Sequence, residues 1–398
     1  MPYSVNHPDI LRNRKKWNAG TNVVRVLGNL EGQRLSEFES LVQRTIEQMR
    51  LHETEDVVSI DYLTAGKFAH IFHASLEPDI SFILQVARGK FDSEAGKIVE
   101  RDFQNLRWLE TLASDYFPRA FAKERMRLSG VDEVPVLTTE FFRGYEELNY
   151  TDKYSGQGNF FQNSRENGLG EKNRLKTEAS IELMKSIVRV MAYVYARTYD
   201  RSTNRGLFIN NVSIDSGDFL YKVNPNVDGP LVRMITAREI ESVSPREFLF
   251  YLLMPFDSYS IGRYVLSEFR IKKDKKSTDT IVAGVKEGVY EVFPEDADNI
   301  FTGWVSDVRA NLTDDLDKLG VSLAEGRLQS FGDLPVGYRA YAKLIAMVAH
   351  RNSRKLQVTI PYETDYAKAW EAQRTSLAPH LKLAGERVLK YLSQAVVK

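Results

Sequence analysis

The residues that could do chemistry in this sequence are few and dispersed. His70 and His73, in His70-Ile71-Phe72-His73, form its only close histidine pair. Positions three apart on a β-strand face opposite sides, so one metal ion cannot easily take both rings. No cysteine is present, which removes thiolate metal sites, iron–sulfur clusters, disulfides and a cysteine nucleophile together. The patterns H-E-x-x-H, G-x-S-x-G and G-x-x-x-x-G-K-[ST] do not occur. What remains is a glycine turn, Leu63-Thr64-Ala65-Gly66-Lys67-Phe68. Backbone amides in such a turn can approach a phosphate closely because glycine has no Cβ, and Lys67 at its tip would add a cation. The run Arg270, Lys272, Lys273, Lys275 and Lys276 is a second place for an anion, with a solvated loop between helices as its plainer reading.

These candidates need elements to hold them, and hydrophobic periodicity supplies a list. Leu35, Phe38, Leu41, Val42, Ile46 and Met49 share one helical face, with Ser36 and Glu39 as a capping box at the start. Strands are predicted over 57–63, 68–74 and 80–86. Turns this short make them an antiparallel meander, because a parallel neighbour needs a long crossover. Phe103, Leu106, Leu109 and Leu112 predict a helix over 98–112, and Val134 to Phe142 a further strand. From Thr151 to Ala179 glycine and polar residues dominate, the composition of a surface insertion or linker. A helix over 181–197 follows, then a hairpin of 207–214 and 219–223 around Asp215-Ser216-Gly217-Asp218, then helices from about Pro245 onward. The expected class is α+β. It divides into an N-terminal helical extension (1–49), a unit with the antiparallel sheet (50–143), a polar hinge insertion (144–177) and a mainly helical unit (178–398).

Composition sets outer bounds. At 398 residues the chain exceeds what one core usually needs. Lys plus Arg number 54 and Asp plus Glu 54, so bulk nucleic-acid binding, which normally shows a basic excess, is not expected. No apolar run approaches the ~20 residues of a membrane span, and Met1 to Trp17 is too polar for a secretory signal. A cytoplasmic setting is the default expectation.

The order of these elements resembles the aminoglycoside/choline phosphotransferase branch of the protein-kinase-like fold, over roughly residues 57–226. Leu63 to Phe72 is similar to the nucleotide-covering loop, with Gly66 and Lys67 at its tip. Gln85, in Leu84-Gln85-Val86, stands where the family has its phosphate-binding lysine, and Asp102 where it has the acid that pairs with that lysine. Glu140 to Gly144, including Phe142, resembles the hinge whose backbone meets an adenine. Asn211, in Asn211-Val212-Ser213-Ile214-Asp215, is similar to the metal-binding asparagine that ends the catalytic loop. The departures are chemical. Gly206 falls at the catalytic aspartate, Asn204 at the histidine that leads its motif, and Asn224 at the metal-holding aspartate. Lysine and metal neutralise phosphate charge, and the aspartate orients and deprotonates the attacking hydroxyl. Losing a general base alone costs about 10²–10⁴-fold.

The resemblance therefore implies a two-lobed kinase-like protein with degenerate motifs, a pseudokinase acting as a binding or regulatory module on a protein partner. Its interlobe cleft would be lined by Gly66, Lys67, Gln85, Asp102, Glu140, Phe142, Asn211 and Asn224, with ATP and magnesium as the implied ligand and no catalytic or resident metal-binding residue assigned. Two other readings stand beside it. One is an active phosphotransferase or nucleotidyltransferase in which Lys67, Asp102, Asp215 or Asp218 has taken over a missing role. The other is a structural or assembly protein whose C-terminal helices form an interaction surface.

Overall fold

The computed structural model describes residues 33–49, 58–65, 68–76, 80–128, 133–147, 177–209, 218–222, 230–253, 275–339, 341–342 and 363–395. Four expected features therefore lie outside the described residues: the Gly66-Lys67 tip, most of the polar insertion, the loop with Asn211 and Asp215, and Asn224. Most of the basic run lies outside them too, and its last two lysines begin a helix. The chain divides into two compact units, Met1–Tyr145 with Arg233–Glu239, and Glu146–Val232 with Ile240–Lys398.

The first unit is built on a five-stranded antiparallel sheet. Its strands are β1 (Val58–Ala65), β2 (Ala69–Leu76), β3 (Ile80–Ala87), β4 (Ala120–Arg127) and β5 (Glu133–Glu140), in the order β1-β2-β3-β5-β4. The meander of β1 to β3 forms as expected, and β4 is an addition that periodicity did not suggest. Side chains alternate across the sheet. Phe72, Leu84 and Val86 on one face pack with Leu41, Val42 and Ile46 of helix α1 (Gln33–Gln48) in a single apolar cluster. The hydroxyls of Thr45 and Thr138, both fully buried, meet at 2.7 Å across that contact. Ser36 is the fourth residue of α1 rather than its cap. Helix α2 (Glu94–Ala113) lies against the other face, its start capped by the Ser93 hydroxyl accepting from Gly96 N–H at 3.1 Å. The histidines obey the same alternation: His70 shares the buried face of Phe72, and His73 points the other way, its ring 4.4 Å from that of Phe141.

The second unit is mainly helical but carries short strands. Its helices include α3 (Thr177–Arg197), α4 (Pro245–Leu253), α5 (Lys275–Val292), α6 (Ala297–Ala324) and α7 (Glu363–Ala395). At Gly288 of α5 a Cβ would lie 2.6 Å from the Arg189 carbonyl of α3, so only glycine allows the two helices to come this close. Among the described residues the two strands of the anticipated hairpin do not pair with each other. β7 (Gly206–Ile209) pairs antiparallel with β10 (Ile240–Val243), whereas β8 (Phe219–Lys222) lies between β6 (Glu146–Glu147) and β9 (Leu231–Met234) in a separate sheet. Both strands need partners, and β10 supplies one for β7 while β6 and β9 supply them for β8. The class is α+β. No helix among the described residues is long and apolar enough to cross a membrane.

Candidate functional site

Of the eight candidate binding positions, Gln85, Asp102, Glu140 and Phe142 are described, all in the first unit; Gly66, Lys67, Asn211 and Asn224 lie outside the described residues. Gln85 sits mid-strand, in register with Ile71 on β2 and Leu137 on β5, and Leu137 is in register with Lys123 on β4. Residues opposite one another share a face, so Ile71, Gln85, Leu137 and Lys123 form one row. That row faces α2, because Lys123 Nζ lies 3.0 Å from Glu100 Oε1 and 5.9 Å from the Phe103 ring centroid. An ammonium–carboxylate pair thus joins sheet to helix, from β4 rather than from β3.

Asp102 is 5% exposed. Its Oδ1 accepts a hydrogen bond from the backbone N–H of Ala237, and Asn105 Nδ2, three residues along the same helical face, donates to the Ala237 carbonyl. Both polar groups of one peptide residue are thereby held by α2. The hinge positions are engaged as well. Glu140 N–H donates to the Arg119 carbonyl at 2.8 Å, and the Glu140 carboxylate accepts from Arg119 N–H at 3.2 Å. The Phe142 carbonyl accepts from Tyr145 N–H at 3.3 Å in a turn where Gly144 takes φ 74°. The Phe142 ring, 9% exposed, supports the Arg233 guanidinium 5.1 Å from its centroid. Sequence reasoning missed Lys123, Glu100, Asn105 and Ala237. The i, i+3 spacing of Asp102 and Asn105 was the available signal for two polar groups acting on one ligand.

In the second unit, Gly206 opens β7 directly after a turn in which Asn204 takes φ 52° and its Oδ1 accepts from the Tyr199 hydroxyl at 2.8 Å. A Cβ on Gly206 would lie 2.8 Å from both Cε2 and the carbonyl oxygen of Tyr195. Tyr195 is fully buried, stacked on Phe248 with centroids 4.1 Å apart, set edge-on to Trp304, and its hydroxyl donates to the Val243 carbonyl at 3.2 Å. The next strand over is fixed by Arg205, which donates to the Ser242 carbonyl at 2.6 Å. Asp218 is 1% exposed, one residue ahead of β8. Among the described residues no group of three His, Asp or Glu side chains could hold a metal ion.

Burial pushes the hydroxyls of Tyr195 and Tyr338 well above the ordinary tyrosine range, and nearby Glu247 and Asp307 add to the effect in both. In the unfolded chain both ionise near pH ~10. Above that value the unfolded state loses protons that the folded state keeps, so stability is whole below it and falls as pH rises. The expected result is that these two tyrosines yield tyrosinate absorbance only as the second unit unfolds in alkali. Two early-titrating buried tyrosines would contradict the packing.

No family model matches this sequence, and no curated protein matches it. Among solved structures the chain is similar to "WaaP in complex with acyl carrier protein", at TM-score 0.32 and 11% identity over 65% of this chain and 88% of that one. It is also similar to a complex of Neurospora crassa PAN2 with PAN3 (pseudokinase and C-term), at TM-score 0.33 and 9% identity over 89% of this chain and 99% of that one.

Proposed function

We propose that this chain is a kinase-like protein that binds without transferring phosphate: a pseudokinase-type module that regulates or assembles with a protein partner. The observation that carries the reading is the space at Gly206. Where the resemblance requires a carboxylate to orient the attacking hydroxyl, Tyr195 leaves no room even for a Cβ. Two further observations support it. The Glu140 N–H and the Phe142 carbonyl already have partners in their own unit, and Asp102 holds a peptide N–H. The described residues therefore fit ATP with magnesium poorly, and no transfer step is drawn through it.

The test is calorimetric and thermal-shift titration with ATP, with and without magnesium, alongside an ATP turnover assay. A ligand at a concentration equal to its own Kd stabilises by only about 0.4 kcal/mol, so weak affinity predicts a barely measurable shift, and turnover is expected to stay at background. Turnover that disappears in Lys67→Ala or Asn211→Ala would overturn the reading in favour of an active transferase.

A further inference from the structure

Residues Arg233–Glu239 belong to the first unit although the chain on both sides of them belongs to the second. They run antiparallel to α2 along most of its length, each contact using chemistry suited to its place. At the C-terminal end of α2, Arg233 donates to the carbonyl of the C-cap residue Ser114 at 3.3 Å, and Met234 N–H donates to the Tyr116 carbonyl at 2.9 Å. Helix ends leave carbonyls without intrahelical partners and carry partial negative charge, so a guanidinium is favoured there. In the middle, Ala237 is fully buried with its N–H on Asp102 and its carbonyl on Asn105. Toward the N-terminal half, Arg101 lies 3.7 Å from Glu239.

The central contact reads backbone and not side chain. A buried peptide group left without partners would cost about 1–3 kcal/mol, so Asp102 and Asn105 hold the strap at Ala237. We propose that Arg233–Glu239 is a latch that fixes helix α2 in cis. In this arrangement the α2 carboxylate of Asp102 positions a strap. The inference stands whether or not the proposed function is right, because it rests on contacts within the first unit alone.

Backbone amide hydrogen exchange on the full chain tests it. Asn105→Ala, a half-exposed position, should raise exchange at 233–239 by about tenfold or more, the loss of one buried hydrogen bond. Exchange in α2 should rise in parallel, while β1 to β3 stay protected. Asp102→Ala should do the same more strongly, and Arg233→Ala should act from the other end if Asp102→Ala does not fold. Gln104→Ala, on the exposed side of α2, should change nothing. Saturating ATP with magnesium should leave α2 exchange unaltered. Exchange at 233–239 that rises without α2 following, or that stays unchanged in Asn105→Ala, overturns the latch. ATP-dependent protection of α2 with the latch variants behaving as expected would count against the proposed function alone.

Discussion

Gly206→Asp is expected to destabilise the second unit strongly and to confer no ATP turnover. If Gly206 were merely an unfilled position for the carboxylate that the resemblance implies, supplying one should confer turnover. The structure gives the opposite sign. The first added atom already lies 2.8 Å from a ring carbon and from a backbone oxygen of Tyr195. A flexible side-chain tip could yield cheaply, but this ring is stacked on Phe248 and edge-packed on Trp304, and its hydroxyl is tied to Val243. Overpacking a closed core typically costs about 1–3 kcal/mol, which is the loss expected for Gly206→Ala. The aspartate adds a carboxylate at a buried position, an effective penalty of several kcal/mol, so the full substitution should exceed about 4 kcal/mol. At roughly 2–4 °C per kcal/mol for a unit of this size, circular dichroism melts should show a drop in Tm greater than about 8 °C. The alanine variant should fall between the two. A Gly206→Asp protein that melts with the parent and hydrolyses ATP would refute both the packing and the proposed function.

Gly206 also shows what was legible in the sequence and what was not. That glycine, with no carboxylate, stands at this position is visible in the sequence. Why a side chain does not fit there is a tertiary fact, because nothing near Gly206 in sequence announces the Tyr195 ring or the Phe248 behind it. The strands β1 to β3 were readable from alternation and short turns, and β2 and β3 bury Phe72 with Ala74, and Phe82 with Leu84 and Val86, at every second position. Strand β4 was not: Ala120-Phe121-Ala122-Lys123-Glu124-Arg125-Met126-Arg127 looks like charged surface. Two of its cations are there because one face of β4 meets α2 and the turn before it, with Lys123 on Glu100 and Arg125 lying over the Phe91 ring.

Asp102 marks the same boundary at the candidate site. A carboxylate on the buried face of an amphipathic helix is conspicuous in sequence and demands a partner. Its peptide partner is 135 residues away, beyond any local pattern. The segment that supplies it has no periodicity of its own, because its path is set by bonds to α2. Likewise the 207–223 hairpin was plausible locally and failed because β7 and β8 found better partners in β10 and in β6 with β9. Local pattern identifies elements; competition among distant partners decides their pairing.

Removing the α1 contact should be the second large effect, and it should abolish the first unit. Residues up to 49 read as an extension from sequence, yet Leu41 and Val42 are fully buried and Ile46 is 4% exposed in the same cluster as Phe72, Phe82 and Val136. Burying each such side chain contributes about 1.5–3 kcal/mol, so the three together rival the 5–15 kcal/mol by which whole proteins are typically stable. Leu41→Ala alone should cost about 2–5 kcal/mol, because the sheet beneath cannot collapse into the space left. Thr45→Val should cost about 1 kcal/mol by removing the hydroxyl that meets Thr138, whose own contact with Ala122 remains. Glu47→Ala, on the exposed side, should change stability by less than about 0.5 kcal/mol. Urea denaturation followed by exchange protection in β1 to β5 separates the three. If Leu41→Ala matches Glu47→Ala, then α1 lies on the sheet without supporting it, and the first unit is complete from β1 onward.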